Sequence, residues 1–457
     1  MGRFLTGMLH AVAVWSTIAY YVSVYALRRF ALLWSSTAAE KPERVARLQG
    51  EVLRRAMSQL GATFVKLGQV MSSRPDLFEP ALITELKQLQ DNLPPFPFSV
   101  VRTAIEAERD QPLNAIFSEL DETPVAAASV AQVHRARLLD GREVAVKVLR
   151  PNVRTQVERD GAFLLFGARL LALHPVLRLS DPVGFTQEFV EGLARQTDLR
   201  VEAQNYTQFA RNFAHDRRVV FPYVHEALCG ERVLVMDFVR GAKVDALPPG
   251  DHRAVADALR SATMQMLFVD GFMHADMHPG NMVVRDDGVL VLFDVGLASK
   301  LNSEVLDMFV DLMKCISMGT PDDTIEHLRR YHVHRGNVDW AAMRRDFEAF
   351  GQKFRSQDVM KLDYGALTND VLAIARRYRV HPVPELSLVV VGVVTAQGIG
   401  KQLNPDANDF IEMSKYLVPL LMRTGKRVPD TDEARRARAA AEASADEDAS
   451  LHNAAAE

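Results

Sequence analysis

The sequence predicts an α+β fold whose helical and β-rich blocks follow one another along the chain, and three observations predict it. Leu53, Met57, Leu60, Phe64 and Leu67 recur at helical spacing within residues 41–120. Two β-like runs, Glu143-Val-Ala-Val-Lys-Val-Leu149 and Arg232-Val-Leu-Val-Met-Asp237, fall within residues 121–245 with a helical stretch between them. Residues 250–427 are again mainly helical, apart from short β-like runs at Met282–Val284 and Val289–Leu292. The length of 457 residues suggests two or three compact units. With 48% hydrophobic and 25% charged residues, the chain is neither fully disordered nor fibrous. A formal net charge of −4 argues against a dedicated nucleic-acid binder. Cys229 and Cys315 are the only cysteines, which excludes a disulfide scaffold and a cysteine-based zinc site.

The first block, residues 1–40, is an apolar leader. No Asp, Glu, Lys or Arg interrupts Phe4 to Leu27, and the run meets the ~20 apolar residues of a bilayer crossing. Arg28 and Arg29 follow at once while Arg3 alone precedes, so the positive-inside rule puts the rest of the chain on the cytoplasmic side. In a bacterium that is the cytoplasmic face of the inner membrane. A membrane anchor is the first reading; a surface-lying or protein-packed helix and a cleaved targeting peptide are the alternatives. In the helical block 41–120, Pro94, Pro95 and Pro97 form a break. Leu386–Val394 is strongly apolar but too short to span a bilayer, and reads as a buried core helix. Residues 429–457, rich in Ala, Glu, Asp and Arg, read as a disordered tail or frayed helix.

The chemistry concentrates downstream. His274-Ala-Asp-Met-His-Pro-Gly-Asn281, then Val289-Leu-Val-Leu-Phe-Asp-Val-Gly296, give H-x-D-x-x-x-x-N followed by a strand and D-x-G, a phosphoryl-transfer signature. Asp276 would accept a proton from, or orient, the attacking hydroxyl or water. Asn281 and Asp294 would ligate Mg²⁺, a hard ion suited to their oxygens. Gly296 would let the backbone turn. The plain alternative is a solvated turn using Asp, Asn and Gly for turn reasons; two elements in order favour a protein-kinase-like site. His274 and His278 lack the glutamate of a metalloprotease helix, so structural roles are expected. Lys147, inside a β-branched run, would reach nucleotide phosphates and pair with a helix glutamate. Glu202 is the candidate partner, with Glu191 and Glu188 as alternatives; by itself Lys147 would read as an edge-strand lysine reaching water. Where kinases place a glycine-rich loop, this chain has Pro124-Val-Ala-Ala-Ala-Ser-Val-Ala-Gln-Val-His134, without glycine. Alanine penalises φ > 0, so phosphates must be cradled differently.

Together, AAASVAQVH, VAVKV, HADMHPGN and DVG resemble the UbiB family of atypical kinases, also called aarF-domain-containing kinases. Phe64-Val-Lys-Leu-Gly-Gln-Val-Met-Ser-Ser-Arg-Pro-Asp76 is similar to that family's KxGQ signature, with Leu86, Leu89, Gln90, Asp91, Pro94 and Pro95 continuing it. Ala396-Gln-Gly-Ile-Gly-Lys-Gln-Leu-Asn-Pro405 matches its C-terminal segment. The resemblance covers roughly residues 50–410. It implies a bilobal protein-kinase-like fold: a KxGQ extension over 41–120, an N-lobe with helical insertion over 121–245 and a C-lobe over 246–428. It implies ATP or ADP binding with Mg²⁺, in which Ala126, Ala127, Ala128, Ser129, Lys147 and Glu202 contact nucleotide and Asn281 and Asp294 hold the metal. It further implies ATPase or small-molecule kinase activity serving isoprenoid-quinone (ubiquinone) biosynthesis or related lipid homeostasis. The partners would be a membrane lipid or quinone precursor and quinone-biosynthesis proteins, with no nucleic acid.

Two departures from the family pattern stand out. Gln196-Thr-Asp198 replaces an E-x-D pair, which would leave Lys66 to rely on Asp198 alone. Val295 replaces the aromatic of D-F-G. Lys66 and Gln69, three apart on a helix, share a face. The resemblance lays that helix over the place of a peptide substrate, so Lys66 is expected to point toward Asp276, Asn281 and Asp294. Lys66 and Gln69 would then count among the catalytic residues with Asp276 and Lys147.

Overall fold

A computed structural model describes residues 2–35, 41–74, 77–89, 94–174, 181–248, 250–334, 337–355 and 364–405, with positions 178 and 415. The tail at 429–457 lies outside the described residues. The upper lobe is a sheet of five strands: β1 (Phe117–Leu120), β2 (Ala126–Ala127), β3 (Ala131–Leu138), β4 (Glu143–Leu149) and β6 (Val233–Asp237). Its order is β1-β3-β4-β6, with β2 on β3, and every pairing is antiparallel. Successive side chains of a strand face opposite ways. Val144, Val146 and Val148 are fully buried against Val101, Ala104 and Ile105 of helix α5 (Phe98–Arg109). Burial of each valine contributes up to about 1.5–3 kcal/mol. Ala145, Lys147 and Leu149 therefore share the other face, and Ala145 and Leu149 join the main core there. This alternation alone turns Lys147 toward the cleft.

Helices α6 (Val153–Leu171) and α7 (Pro182–Arg195) form the insertion, and α8 (Leu199–Asn212) buries Leu199, Ala203, Tyr206 and Phe209 in the main core. β5 (Val219–Val220) leads back toward β6, and β7 (Ala242–Lys243) leads into the lower lobe. There α9 (Arg253–Gln265) runs through a π-turn to Gly271, whose φ of 55° sends the chain into β8 (Phe272–His274). β9 (Met282–Val284) and β10 (Leu290–Leu292) form a hairpin in the sheet β5-β10-β9-β7, and β11 (Ala298–Lys300) pairs with β8. Helices α10 (Ser303–Met318), α11 (Pro321–Tyr331), α12 (Trp340–Arg355), α13 (Tyr364–Arg377) and α14 (Pro384–Leu403) follow, with β12 (Val333–His334) paired to β13 (Val380–His381). Leu386, Val389 and Val390 of α14 are buried in the core.

The N-terminal extension comprises α2 (Lys41–Leu60), α3 (Ala62–Ser72) and α4 (Pro80–Leu86). The periodicity from Leu53 to Leu67 spans two helices, because Gly61 at φ 100° breaks it. Gly68 has a steric reason: a Cβ there would collide with Leu89 Cδ1 and Met57 Sδ.

The expected membrane anchor is corrected by the structure: among the described residues no helix is long and apolar enough to cross a membrane. Helix α1 (Gly2–Ser35) covers the leader, but His10, Trp15, Ser16, Thr17, Tyr20, Tyr21, Ser23 and Tyr25 dilute its apolar character. It packs on protein. Val14 is buried with Met57, Phe64, Val65 and Leu86. Trp15 meets Phe163 edge-on at 5.4 Å, Gln49 Nε2 donates to the Tyr25 hydroxyl at 3.1 Å, and Arg28 pairs with Glu51 at 2.9 Å.

Candidate functional site

Lys147 stands at the centre of the cleft. Its Nζ lies 2.8 Å from both Glu202 carboxylate oxygens and 3.4 Å from Asp294 Oδ1. The side chains of Lys147 and Glu202 are only 16% and 6% exposed, so neither charge is compensated by water. Burial opposes the Lys147 charge, but the Asp294 and Glu202 carboxylates outweigh it and raise the ammonium above its ordinary value. Glu191 instead accepts from Gln187 on the exposed side of α7.

Asp294 is the most constrained residue of the site. It adopts φ 53°, left-handed for a side chain with a Cβ. The Tyr206 hydroxyl accepts its N–H at 2.9 Å, and Asn205 Nδ2 donates to Val295 O at 2.8 Å. Glu202, Asn205 and Tyr206 are at i, i+3 and i+4 on α8, so one helix face holds both Lys147 and the Asp294 turn. Lys147, against the cost of burial, brings the Asp294 carboxyl down to about 2, and Lys66 adds to it. Gly296 stands in the turn, as expected, while the positive φ there belongs to Asp294. A Cβ at Gly296 would lie 3.5 Å from Asp294 Oδ1 and 3.6 Å from Glu202 Oε2. Both are ordinary contact distances, so a side chain there would touch the carboxylates without displacing them.

The turn carrying Asp276 follows β8. The buried His274 ring accepts Asp276 N–H at Nδ1 (3.2 Å) and donates from Nε2 to Phe293 O (2.9 Å). These bonds assign a neutral tautomer and tie the Asp276 turn to the strand leading to Asp294. His278 accepts Gly280 N–H at 3.1 Å. Asn281 Nδ2 donates to Asp276 O at 3.1 Å, which leaves its Oδ1 as the ligand-type atom. Asp276 and Asn281 are half-buried, on the same turn.

The Ala-rich segment is a strand and tight turn without positive φ. Ala126 is exposed, Ala127 and Ala128 are half-buried, and Ser129 is buried. Ala128 N–H donates to Ala131 O at 2.8 Å, and Arg150 Nε donates to Ala128 O at 2.7 Å. Gln132 accepts Phe96 N–H at 3.0 Å and donates to Phe96 O at 3.3 Å, so the linker before α5 is sewn to this hairpin. Sequence reasoning missed Gln132, Arg150, Asn205 and Tyr206; helical spacing from Glu202 was the available signal for the last two.

The extension reaches both lobes. Thr63 donates to Asp160 of α6 at 2.8 Å, Arg74 to Ser387 of α14 at 3.2 Å, and Arg376 to Phe78 O at 3.1 Å. Lys66 is half-buried with its charge acting on Asp294. Asp198 caps α8 and forks onto Arg200 at 2.7 Å, so its charge is spent there. Gln69 Nε2 approaches Leu89 O at 3.5 Å.

Comparison with known proteins agrees with this architecture. The family model described as the ABC1 atypical kinase-like domain matches residues 88–325, and that of the UbiB helical domain matches 347–408. A relative named "Probable protein kinase UbiB" from Aliivibrio fischeri is 31% identical over 396 residues, 81% of this chain and 72% of the relative. One of the same name from Vibrio cholerae is 32% identical over 375 residues, 78% of this chain and 68% of the relative. Among solved structures, a Mycobacterium tuberculosis protein in complex with erythromycin has a TM-score of 0.53 at 21% identity, covering 83% of this chain and 97% of that one. That likeness concerns the fold alone. With a cleft built around Lys147, Glu202 and Asp294, family models matching residues 88–325 and 347–408, and relatives above 30% identity, the chain belongs to the UbiB family of atypical kinases.

Proposed function

We propose that this chain is an ATP- or ADP-binding phosphotransferase or ATPase that uses Mg²⁺ and serves isoprenoid-quinone (ubiquinone) biosynthesis or related membrane lipid homeostasis. One observation carries the reading: Lys147 Nζ bridges Glu202 and Asp294, at 2.8 and 3.4 Å, beside the turn bearing Asp276 and Asn281. A structural lysine needs one counter-charge; two carboxylates and an adjoining Asp–Asn turn make a cleft with surplus negative charge for a cation. The donors fit Mg²⁺. The Asp294 side chain is 47% exposed and the Asn281 amide presents oxygen. When bound, the ion would neutralise phosphate charge.

The chain's own residues then divide the work. Lys147 orients phosphate oxygens, held extended by Glu202. Asp276 holds or accepts the acceptor's proton. Lys66 adds a cation beside Asp294 on the side where a peptide substrate would enter, which favours water or a small lipid-linked acceptor. A membrane lipid or quinone precursor, handed over by quinone-biosynthesis proteins, suits that restriction. A second reading, a nucleotide-sensing scaffold without obligatory turnover, is favoured by the Ala-rich turn, because Ala128 N–H is already used by Ala131 O. Phosphate release by the purified protein, with and without lipid vesicles, separates them. Asp276→Asn is expected to abolish release and keep nucleotide binding, whereas equal rates in parent and variant overturn the catalytic reading. Asp294→Asn is expected to lose the thermal shift given by Mg-ATP.

A further inference from the structure

Away from the cleft, α10 and α11 bring together three side chains of metal-ligating type. Asp311 and Cys315 are four residues apart and share one face of α10. His327 reaches them from α11. One carboxylate oxygen, the thiol sulfur and one ring nitrogen all lie within 4.8 Å of one another. Metal–ligand bonds of about 2.0–2.3 Å put the ligand atoms of a tetrahedral ion roughly 3.3–3.8 Å apart. The three side chains are gathered near that span, and side-chain shifts of about an ångström would close them on an ion.

A plain structural account of the cluster falls short. His327 Nδ1 and Asp311 Oδ2 are 2.8 Å apart, a pair whose carboxylate side is half-exposed. Yet His327 is 3% exposed, and among the described residues its Nε2 has no hydrogen-bond partner. The His332 ring lies 5.5 Å from that of His327, and its Nδ1 is also buried without a partner. An orphaned buried polar atom costs about 1–3 kcal/mol, and two adjoin this cluster.

We propose that Asp311, Cys315 and His327 form a site for a zinc-type divalent transition metal, with the fourth position open to water. A thiolate, an imidazole and a carboxylate suit Zn²⁺ or Co²⁺ and do not suit Mg²⁺ or Ca²⁺, which take oxygen. This is a mixed site with one thiolate, distinct from the cysteine-rich kind that two distant cysteines exclude. Burial, then the Asp311 and Asp323 charges, push the Cys315 thiol up to about 11, so the metal-free protein holds this proton at neutral pH. Metal binding releases it to solvent as the sulfur–metal bond forms. The location gives the site its consequence. It joins α10 to α11 where the kinase-like domain match ends, at residue 325, before the helical-domain match begins at 347. A bound ion would pin α11 to α10 at that boundary.

The test uses the full-length protein, stripped with chelator, kept in excess Mg²⁺ and titrated with ZnCl₂ or CoCl₂. We expect one equivalent retained through desalting, a rise in melting temperature, and with cobalt a thiolate charge-transfer band. Cys315→Ser should abolish the band, and both it and His327→Gln should weaken binding at least about a hundredfold. Cys229→Ser and Asp294→Asn should retain both metal and band, the first because Cys229 lies in the upper lobe, the second because the nucleotide site is separate. Cys315→Ser is nearly isosteric, and loss of the band reads the ligand directly even if His327→Gln fails to fold. No metal retained by the parent protein, or a band and affinity indifferent to Cys315→Ser, overturns the proposal.

Discussion

Tyr206→Phe removes one oxygen and leaves the ring. Tyr206 is 1% exposed, and its hydroxyl accepts Asp294 N–H at 2.9 Å. That bond holds Asp294 at φ 53°, a conformation that costs a residue with a Cβ about 1–2 kcal/mol. Without the hydroxyl, a buried N–H loses its partner at about 1–3 kcal/mol. The cheapest relief is for Asp294 to return to negative φ, which swings its carboxylate away from Lys147, now 3.4 Å distant. Two readouts follow. Stability should fall by that 1–3 kcal/mol, at about 2–4 °C per kcal/mol for a domain of this size. The dissociation constant for Mg-ATP should rise about 5- to 150-fold, the same free energy expressed as an equilibrium. Calorimetric melting and nucleotide titration measure them, with Tyr223→Phe as a control, since Tyr223 is 62% exposed. Unchanged melting and unchanged affinity would refute the reasoning entirely. Lower melting with unchanged affinity would refute the link from hydroxyl to carboxylate.

Two further outcomes are expected. Lys66→Ala removes one of the cations that lower the Asp294 carboxyl, so that group should titrate above about 2; turnover should change and autophosphorylation should appear under labelled ATP, and a variant unaltered in all three sinks the placement of Lys66. Acidification should loosen the linker before α5, because Gln132 Nε2 and His134 Nε2 meet at 2.8 Å and His134 Nδ1 meets Asp121 O at 2.7 Å. Burial lowers the His134 pKa below 6.5. The sign follows: the unfolded imidazole takes a proton below 6.5 and the native one resists it, so this stability is whole above 6.5 and declines as pH falls below it. Amide exchange at Phe96 followed from neutral to acid pH checks this, and protection that stays flat across the window, or falls equally in His134→Gln, contradicts it.

The lower-lobe half of the cleft was legible because its residues are close in sequence. His274, Asp276 and Asn281 occupy one turn, and Asp294 follows after one hairpin. Lys147 was legible because alternation along β4 gives a residue only two faces. The Glu202 pairing needed the fold, since two other glutamates preceded it in the same insertion. Gly296 lies in the turn that the D-x-G motif announces, but the positive φ of that turn falls to Asp294, which no glycine pattern marks. The leader was misjudged because a count of charges ignores hydroxyl, indole and phenol groups. Nor does a one-dimensional reading show that Val14 has Met57 and Phe64 to pack on. Arg74 and Ser387 are 313 positions apart, and no local pattern announces such a pair.

The seams of the extension differ in strength, and the difference bears on how nucleotide enters. Toward the upper lobe, Thr63 and Asp160 are 4% and 1% exposed. Toward the lower lobe, Arg74 and Ser387 are 7% and 1% exposed. Parting either pair breaks a buried hydrogen bond to a charged group, which contributes about 1.5–3 kcal/mol. Separating the lobes beneath the extension breaks at least one of them. The third seam, between the 94–97 linker and the Ala-rich hairpin, is of another kind. Gln132 and Phe96 are neutral partners, and Arg150 reaches Pro94 O at an exposed position where water substitutes readily. Thermal opening therefore falls first on the hairpin edge, beside Lys147, and the buried pairs keep the extension in place while it does. On the proposed reading, a roof fixed at both ends and loose at that margin would admit nucleotide without uncovering the side where Lys66 acts on Asp294.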